Sequence, residues 1–380
     1  MQKQPPSIAA RIVTQLRDAG PATVNGLARS LQVSRTSVEN AISPLTDAGM
    51  LSRTITSGAG VGRPSRSYAF DAGRGCVAGV DVGNASIRVV VSDLSGEVLA
   101  HQIGAGVSHH PDGASKLAAV ASEVRSTLRT AGIPMAKLRA IGLSLPGIVS
   151  ESGVVLNSVV IPEWSGVDIG NHLAGALGVT VAVDNGVRLA AVAEHHLGAA
   201  QLVSDVLYLS VGNRVAMALI LGGQGRRGVH EVAGDIGRLI MPELQAGAGE
   251  ISWRNGRTAA EVFARARDGD GEAREEIGGF VERLARALAI LVMAVDPAKV
   301  VVGGGLSQAH DEFLAPLRAA VARHLRLSVE IPVVKARLGD EAAAHGALVL
   351  AFRKNAYDIY GLEQMGIPPI LPWRHHDVTA

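Results

Sequence analysis

Five polar side chains cluster in one short segment near the start of the chain, among aliphatic residues at helical spacing. The segment begins at Ser34 and contains Arg35, Thr36, Ser37 and Asn40. In a helix these side chains lie on the solvent side, because the intervening aliphatic residues define the opposite, buried side. Arginine can donate two hydrogen bonds to guanine, and asparagine can bond adenine in the same bidentate way. The segment therefore predicts a helix that contacts base edges in a DNA groove.

The residues around this segment predict the elements that would hold it. Aliphatic residues recur at helical spacing in three short blocks, and Thr23 and Ser34 stand where N-caps are expected. The short connection between the second and third blocks is typical of a helix-turn-helix. A polar turn with Arg63 and an alternating run with Arg66 predict a hairpin wing, whose two arginines would contact phosphate or the minor groove. Pro44 predicts a kink or an early end of the third helix.

Charge is unevenly distributed along the chain. Residues 1–70 contain eight Lys or Arg against three Asp or Glu, a net charge of +5, whereas the remaining 310 residues carry −4. Such an asymmetry favours a nucleic-acid partner for the basic part. The alternative is a small helical domain with ordinary surface arginines, but caps, turn, wing and charge together favour DNA binding.

The composition limits the remaining classes of protein. A chain of 380 residues, 47% hydrophobic and only 3% aromatic, predicts two or three domains with aliphatic cores. No apolar run reaches the length of a membrane span and the N-terminus lacks a signal-peptide core, so we expect a cytoplasmic protein. Cys76 is the single cysteine, which excludes an intrachain disulfide and a cysteine-based zinc site. Its position at the start of a predicted strand favours a buried apolar role.

After residue 72 the pattern becomes one of strands and helices in a repeated order. Three strands joined by tight turns, at residues 77–83, 86–92 and 97–102, precede a helix over 114–130. A second antiparallel pair, at 206–211 and 215–221, precedes a long helix over 273–295. Two similar halves that each open with antiparallel strands predict a layered α/β body with a duplicated, actin-like fold.

The chain resembles the regulator branch of the ROK (repressor, open reading frame, kinase) family over residues 8–352. Besides the predicted winged helix, the resemblance rests on the order and spacing of eight segments: Gly62–Pro64, Gly79–Gly83, Gly142–Gly147, Val183–Asn185, Gly228–Gly237, Gly303–Leu306, Leu338–Gly339 and Gly346–Ala347. It implies a winged helix-turn-helix over 1–72, a two-lobed actin-like domain of the sugar kinase, Hsp70 and actin type over 76–353, and a tail over 354–380. It also implies a dimer and sugar-responsive control of transcription.

The positions that carry catalysis in the family's kinases are altered here. In those kinases the catalytic Asp follows an Asn, but Gly186 follows Asn185 and has no side chain to act as a base. The first phosphate loop, D-x-G-G-T-K, lacks its Thr and Lys in residues 81–86, and Arg214 and Val215 replace small residues of the second. These losses predict a body that phosphorylates no sugar and holds no nucleotide cofactor. The protein is therefore not expected to be an enzyme.

The zinc site of the family is not expected either. The His that ends the family motif G-E-I-G-H is Arg238 here, and no cysteine cluster follows it. Zinc prefers imidazole and thiolate ligands, which an arginine cannot replace. Three pairs of adjacent histidines, at 109–110, 195–196 and 375–376, have a poor spacing for one metal and are interpreted as surface or loop residues.

The chain retains part of the sugar pocket that the resemblance implies. Asn185 would bond a sugar hydroxyl, Asp235 takes the place of the Glu in the family motif, and Glu261 falls near a later sugar-contacting Glu. Loops expected to face the ligand contribute Gly147, Asn157 and Ser158. Converging amide and carboxylate groups suit hydroxyl recognition, but the alternative is that these residues only form turns and helix caps. Arg238 would either pair with Asp235 and fill the pocket, or favour an acidic ligand such as a sugar phosphate.

We therefore expect a transcriptional regulator, a repressor of a palindromic operator, whose body dimerises and senses a sugar or sugar phosphate. Its homodimer, or a dimer of dimers, would contact double-stranded DNA and no membrane. Two alternatives stay open: an active ATP-dependent sugar kinase with a fused DNA-binding domain, and an architectural DNA-binding dimer without an effector. Residues 71–75 would form a hinge, and the tail is expected to pack across a dimer or onto a neighbouring lobe.

Overall fold

The computed structural model describes residues 5–56, 65–240, 245–246, 249–309, 311–326 and 330–371. The chain forms two compact units. Unit 1 comprises the residues up to 143, residues 169–183 and the residues from 347 onward, and unit 2 comprises residues 144–168 and 184–346. None of the described helices combines the length and the apolar character that a bilayer crossing requires.

The N-terminal subdomain of unit 1, residues 5–75, contains three helices and a small sheet. Its elements are α1 (Ile8–Ala19), β1 (Ala22–Thr23), α2 (Val24–Leu31), α3 (Arg35–Asp47), β2 (Leu51–Thr56) and β3 (Ser65–Phe70). The strands form an antiparallel sheet in the order β1-β3-β2. Ile12, Leu27 and Val38, one from each helix, are fully buried, so the three predicted helical blocks share one core.

Both predicted helix caps of the subdomain are confirmed. The Thr23 hydroxyl accepts from the N–H of Gly26 at 3.1 Å, and the Ser34 hydroxyl accepts from that of Ser37 at 3.0 Å. Gln32 ends α2 in the left-handed region, at φ 55°, which turns the chain sharply into α3. The expectation of an early end at Pro44 is wrong, because α3 continues to Asp47. A proline removes one amide donor, but its own φ is compatible with a helix. Leu45, in the last turn of α3, is buried in the core of the subdomain and stabilises this turn.

The body part of unit 1 is built on a five-stranded sheet. Its strands are β4 (Cys76–Val82), β5 (Ser86–Asp93), β6 (Val98–Ala105), β7 (Leu138–Leu145) and β10 (Thr180–Asn185), in the order β10-β7-β4-β5-β6. Helix α4 (Gly113–Thr130) packs on β5 and β6, and α5 (Ile169–Leu177) packs on α4. The interior of the sheet is aliphatic, as the composition predicts, and includes Val80, Val89 and Leu143.

Unit 2 repeats this strand order in a second five-stranded sheet. Its strands are β11 (Val206–Val211), β12 (Val215–Leu221), β13 (Gln224–Gly225), β16 (Lys299–Gly303) and β17 (Val333–Lys335), in the order β13-β12-β11-β16-β17. In unit 1 the meander β4-β5-β6 is extended beyond β4 by β7 and β10, and in unit 2 the meander β11-β12-β13 is extended beyond β11 by β16 and β17. This shared order confirms the predicted duplication. Strands β11, β16 and β17 run parallel, while β11 and β12 run antiparallel.

The helices of unit 2 surround its sheet. They are α6 (Gly186–His196), α7 (Gly237–Ile240), α8 (Ala259–Arg267), α9 (Gly271–Val295), α10 (Asp311–Leu325) and the first residues of α11 (Ala342–Lys354). Two short hairpins complete the unit: β8 (Ile148–Val149) with β9 (Val155–Asn157), and β14 (Gln245–Ala246) with β15 (Glu250–Ile251). Helices α9 and α10 bury one large aliphatic and aromatic core against the sheet, including Phe280 and Phe313.

The close approach of β7 to α11 within unit 1 requires a glycine. A Cβ atom on Gly142 would lie 1.7 Å from the carbonyl oxygen of Ala347, which belongs to backbone and cannot yield. We expect Gly142→Ala to lower the free energy of unfolding by about 2–3 kcal/mol, because overpacking a rigid contact displaces the backbone. Gly175 in α5 has no atom within 4 Å of the same added methyl group. Gly175→Ala should therefore stabilise unit 1, by about 0.5–1 kcal/mol in urea unfolding; equal effects of the two substitutions would contradict this packing.

Candidate functional sites

The polar residues predicted for base contacts lie together on α3. Ser34 is the N-cap of the helix, and the side chains of Arg35, Thr36 and Asn40 are exposed. The hydroxyls of Ser34 and Ser37 lie 2.8 Å apart, so they bond each other as well as the helix start. The start of α3 thus presents a row of hydrogen-bonding side chains above a buried aliphatic side.

Arg35 is held by an acidic neighbour one helical turn away. Its Nε lies 2.9 Å from a carboxylate oxygen of Glu39, and the two side chains are 65% and 47% exposed. An exposed pair of this kind contributes little stability and exchanges readily for another partner. On the adjacent sheet, Arg66 is exposed on β3 opposite Ile55, whereas the predicted wing residue Arg63 lies outside the described residues.

Four of the predicted ligand residues come together in unit 2. The amide nitrogen of Asn185 donates to the carbonyl of Gly147 at 2.7 Å. Gly147 has a φ of 141°, and a Cβ there would lie 2.7 Å from the carbonyl oxygen of Asn157 and 3.0 Å from the Cβ of Ser158. The loops at the ends of β7, β9 and β10 therefore meet at the start of α6, as the resemblance implies.

The side chains of this group already have partners within the protein. The amide oxygen of Asn185 accepts from the N–H groups of Val187 and Arg188, at 2.9 and 3.1 Å, and caps α6. The buried Ser158 hydroxyl donates to the carbonyl of Pro146 at 2.7 Å and accepts from the N–H of Ile161. Asn157 is the exposed member of the group. This geometry matches the alternative interpretation of the group as turn and cap residues.

Asp184, the carboxylate nearest to Asn185, is fixed between two arginines. Its oxygens lie 2.8 Å from the Nε of Arg188 and 2.7 Å from an Nη of Arg227, and the side chain is 7% exposed. Arg227 also pairs with Glu231 at 3.0 Å and donates to the carbonyl of Val149 at 3.1 Å. Both carboxylate oxygens of Asp184 are thus held by guanidinium groups of the protein itself.

Sequence reasoning missed this buried ion network. The spacing of Asp184 and Arg188 is a signal for a pair one helical turn apart, which could have indicated its first contact. Arg227 and Glu231 share the same spacing in a later loop, but nothing local connects the two pairs. The network joins the start of α6 to the segment that leads to Asp235.

The other three predicted ligand residues lie farther along the chain in unit 2. Asp235 is exposed in the turn before α7, and the side chain of Arg238 lies outside the described residues, so their pairing stays a prediction. Glu261 accepts a hydrogen bond from the N–H of Arg257 at 2.8 Å and pairs with its guanidinium at 3.3 Å. That N–H, with the Arg257 charge, lowers the pKa of Glu261. In this geometry Glu261 stabilises the start of α8.

The glycine turns that would have to accept phosphates do not fit them. At the β4–β5 turn, the N–H of Gly83 is bonded to the carbonyl of Ser86 at 2.9 Å. At the β11–β12 turn, Arg214 is paired with Glu250 at 2.8 Å, and the N–H of Ile251 donates to the carbonyl of Asn213 at 2.7 Å. The second turn is thus covered by β15, and the N–H of Gly212 donates to the carbonyl of Arg214 at 3.0 Å, so the glycine amides that phosphates would need are already bonded.

Within the described ranges, no group of three His, Cys, Asp or Glu side chains could hold a metal ion. The single cysteine, Cys76, is buried in β4 of unit 1, and this burial raises the pKa of its thiol to about 12. A thiol held in its neutral form is a packing group and not a metal ligand.

Comparison with known proteins establishes the family. The ROK family matches residues 77–251 and 244–354, so the chain belongs to the ROK family. It is 32% identical to the bifunctional enzyme NanE/NanK of Brucella melitensis over 196 residues, which are 48% of this chain but only 37% of that protein's length. It is 24% identical to the xylose repressor of Caldicellulosiruptor bescii over 316 residues, which are 73% of this chain and 78% of the repressor.

Solved structures show the same fold. The ROK hexokinase of Thermus thermophilus superposes with a TM-score of 0.62 at 29% identity, over 73% of this chain and 99% of the hexokinase. A ROK family transcriptional regulator, a homologue of the E. coli MLC protein, superposes with a TM-score of 0.72 at 22% identity, over 93% of this chain and 97% of its own. The actin-like α/β fold of the sugar kinases is therefore the fold of residues 76–354.

Proposed function

We propose that this protein is a transcriptional repressor of the ROK family whose body no longer phosphorylates sugars. The observation that carries the proposal is a subdomain of three helices and a small antiparallel sheet, joined to a kinase-like body that has Gly186 at the base position. Its third helix, α3, exposes Arg35, Thr36 and Asn40, as a winged helix-turn-helix would require. The protein would act as a homodimer on a palindromic operator. Its body would bind a sugar or sugar phosphate that favours one DNA-binding state over the other.

The comparisons support a regulator in two ways. One relative is named a xylose repressor, and one structural neighbour is described as a transcriptional regulator. Because residues 76–380 make up about four fifths of the chain, a superposition over 93% of it extends into the N-terminal subdomain. The hexokinase, by comparison, is matched over only 73% of this chain.

A sugar kinase with a fused DNA-binding domain is the second candidate function, because kinases are among the relatives and structural neighbours. Three features of unit 2 argue against it: the glycine at residue 186, the ion-paired Asp184 and the covered β11–β12 turn. An architectural dimer without an effector is distinguished by thermal-shift screening of sugars and sugar phosphates. Stabilisation by a sugar without phosphate transfer supports the sensor.

The proposal is tested by selecting duplexes from a random DNA library with the full-length protein. We expect enrichment of a palindrome whose half-sites lie one helical turn, or a multiple of it, apart. Affinity should fall steeply with salt, because Lys and Arg release counterions from phosphates. Failure to enrich any sequence at about 0.1 M salt, where specific binding is expected to persist, would refute the repressor.

Glu39→Gln is expected to tighten binding to the selected operator. The substitution frees Arg35 from its ion pair and removes a negative charge from the helix that faces the phosphates. An exposed pair contributes about 0.2–1 kcal/mol, so an increase in affinity of about 1.4- to fivefold should appear in fluorescence anisotropy. Glu275→Gln, which removes one exposed charge from α9, is the control and should leave the affinity unchanged. Weaker binding by Glu39→Gln would mean that Glu39 itself contacts a base.

A further inference from the structure

The segment after α11 is packed although it has little regular structure. Residues 355–371, here called the strap, contain one short helix, α12 (Ala356–Tyr360). Its buried apolar side chains include Ile359, Tyr360, Met365 and Ile370. Of the two arrangements expected for the tail, the described part packs onto a lobe, and that lobe is in unit 1 of its own chain. The strap is therefore an internal part of unit 1.

One side of the strap is attached to the sheet of unit 1. The Tyr360 hydroxyl donates to the carbonyl of Leu94 at 2.7 Å, at the end of β5. The N–H of Leu371 reaches the carbonyl of Gly96 at 3.4 Å, and a Cβ on Gly96 would lie 3.0 Å from the carbonyl oxygen of Pro369. Asp358 accepts from the hydroxyl of Thr180, on β10, at 3.2 Å.

The other side of the strap is attached to the N-terminal subdomain. Arg17, near the end of α1, donates to the Tyr360 hydroxyl at 3.2 Å and to the carbonyl of Gly366 at 2.8 Å. Its side chain is only 1% exposed, although it is charged, because these acceptors and Asp18 at 2.7 Å replace water. The ring of Tyr360 also lies 6.3 Å from that of Phe70, on β3. One tyrosine thus contacts α1, the small sheet and the unit 1 body.

The covalent link between the same two parts is short and lies beside the strap. Residues 71–75 join β3 to β4, and the carbonyl of Ala72 accepts from the N–H of Leu94, the residue that also accepts from Tyr360. The strap supplies a second attachment between the same two parts.

We propose that the strap fixes the orientation of the N-terminal subdomain on unit 1, with Arg17 and Tyr360 as positioning residues for operator binding. The DNA part of this inference rests on the proposed function. In a dimer, two recognition helices contact half-sites at one spacing only if each subdomain is held in one orientation. Without the strap, each helix would still fit its half-site, but the preference for one spacing would be lost.

The orientation is tested directly by the distance between two spin labels, measured by electron spin resonance on the full chain. The labels are placed at Asn25→Cys in the subdomain and Ser122→Cys in α4, with buried Cys76 replaced by Ala. Tyr360→Phe removes the hydroxyl that joins the parts and is expected to widen the distance distribution. Tyr357→Phe, on the same helix but 66% exposed, is the matched control. Distributions of equal width in both variants overturn the proposal.

The consequence for DNA is tested with the selected duplex and a version carrying one extra base pair between its half-sites. Wild type and Tyr357→Phe should prefer the original spacing at least tenfold, whereas Tyr360→Phe should prefer it less than threefold. A general loss of stability would weaken both complexes and leave the ratio unchanged, which would overturn a positioning role. If Tyr360→Phe does not fold, Arg17→Lys keeps the charge but loses the bidentate geometry and is measured instead. If no duplex is selected, the proposal that the protein is a repressor is refuted. The distances between the spin labels still decide whether the strap fixes the orientation of the subdomain.

Discussion

Replacing Arg35 by Ala is expected to weaken binding to the selected operator by about 1–3 kcal/mol per half-site, or about five- to 150-fold. Arg35 is exposed in the first turn of α3, and its present partner Glu39 holds it only through an exposed ion pair. A guanine in the groove would offer Arg35 two acceptors, whereas it now contacts a single carboxylate oxygen of Glu39. The site in the groove is also shielded from water. Fluorescence anisotropy with the full-length protein and duplexes altered at single base pairs measures the loss.

Arg66→Ala is the matched control for this experiment, since it removes an exposed arginine from β3 of the same subdomain. As a phosphate contact it should weaken binding to all sequences about equally and reduce the salt slope by about one. Arg35→Ala should instead relax specificity at one base pair. Unchanged specific binding by Arg35→Ala would show that α3 is not the recognition helix.

Asp184→Asn is expected to lower the free energy of unfolding by about 3–5 kcal/mol, because it leaves two arginines without their buried partner. Arg188 and Arg227 both contact this carboxylate, and an amide cannot balance their charges. The same substitution should leave phosphate transfer from ATP at the wild-type level, because the Asp184 carboxylate has a structural role. Urea unfolding followed by circular dichroism measures the first expectation, and an ATP-consumption assay measures the second.

Glu231→Gln serves as the comparison, because it removes a carboxylate that pairs with Arg227 and accepts from the N–H of Glu151, and leaves Asp184 in place. Its cost in unfolding free energy should be clearly smaller. If Asp184→Asn costs no more than Glu231→Gln, the network is not the structural core of the site. If it abolishes a measurable phosphate transfer, Asp184 is a catalytic base.

The secondary structure could be predicted because its signals are local. The caps at Thr23 and Ser34 act within four residues, and the pair of strands at 206–211 and 215–221 shows its pattern and turn within one short stretch. The duplication was also visible, because each half opens with the same run of strands. Of the two effects expected of Pro44, a kink or an early end of α3, the early end is wrong, because the buried Leu45 keeps the last turn of the helix on the core.

The candidate site could be predicted in its residues but not in their contacts. Asn185 is a good cap and a good sugar ligand for the same reason, a short amide that both donates and accepts, and only the structure shows its bonds to Gly147 and Val187. The contacts of Arg227 with Asp184 and of Arg17 with Tyr360 join distant parts of the chain. Such pairs leave no periodic pattern, so no reading of one sequence finds them.

We propose above all that this kinase-like body binds a sugar or sugar phosphate without transferring phosphate to it. Its most direct test is transfer of the γ-phosphoryl group from labelled ATP to a panel of hexoses and N-acetylhexosamines by the full-length protein. We predict no sugar phosphate above the level of the protein-free control, with wild type and Asp81→Asn giving the same result. Turnover by wild type that Asp81→Asn abolishes would contradict the account and make the protein a sugar kinase.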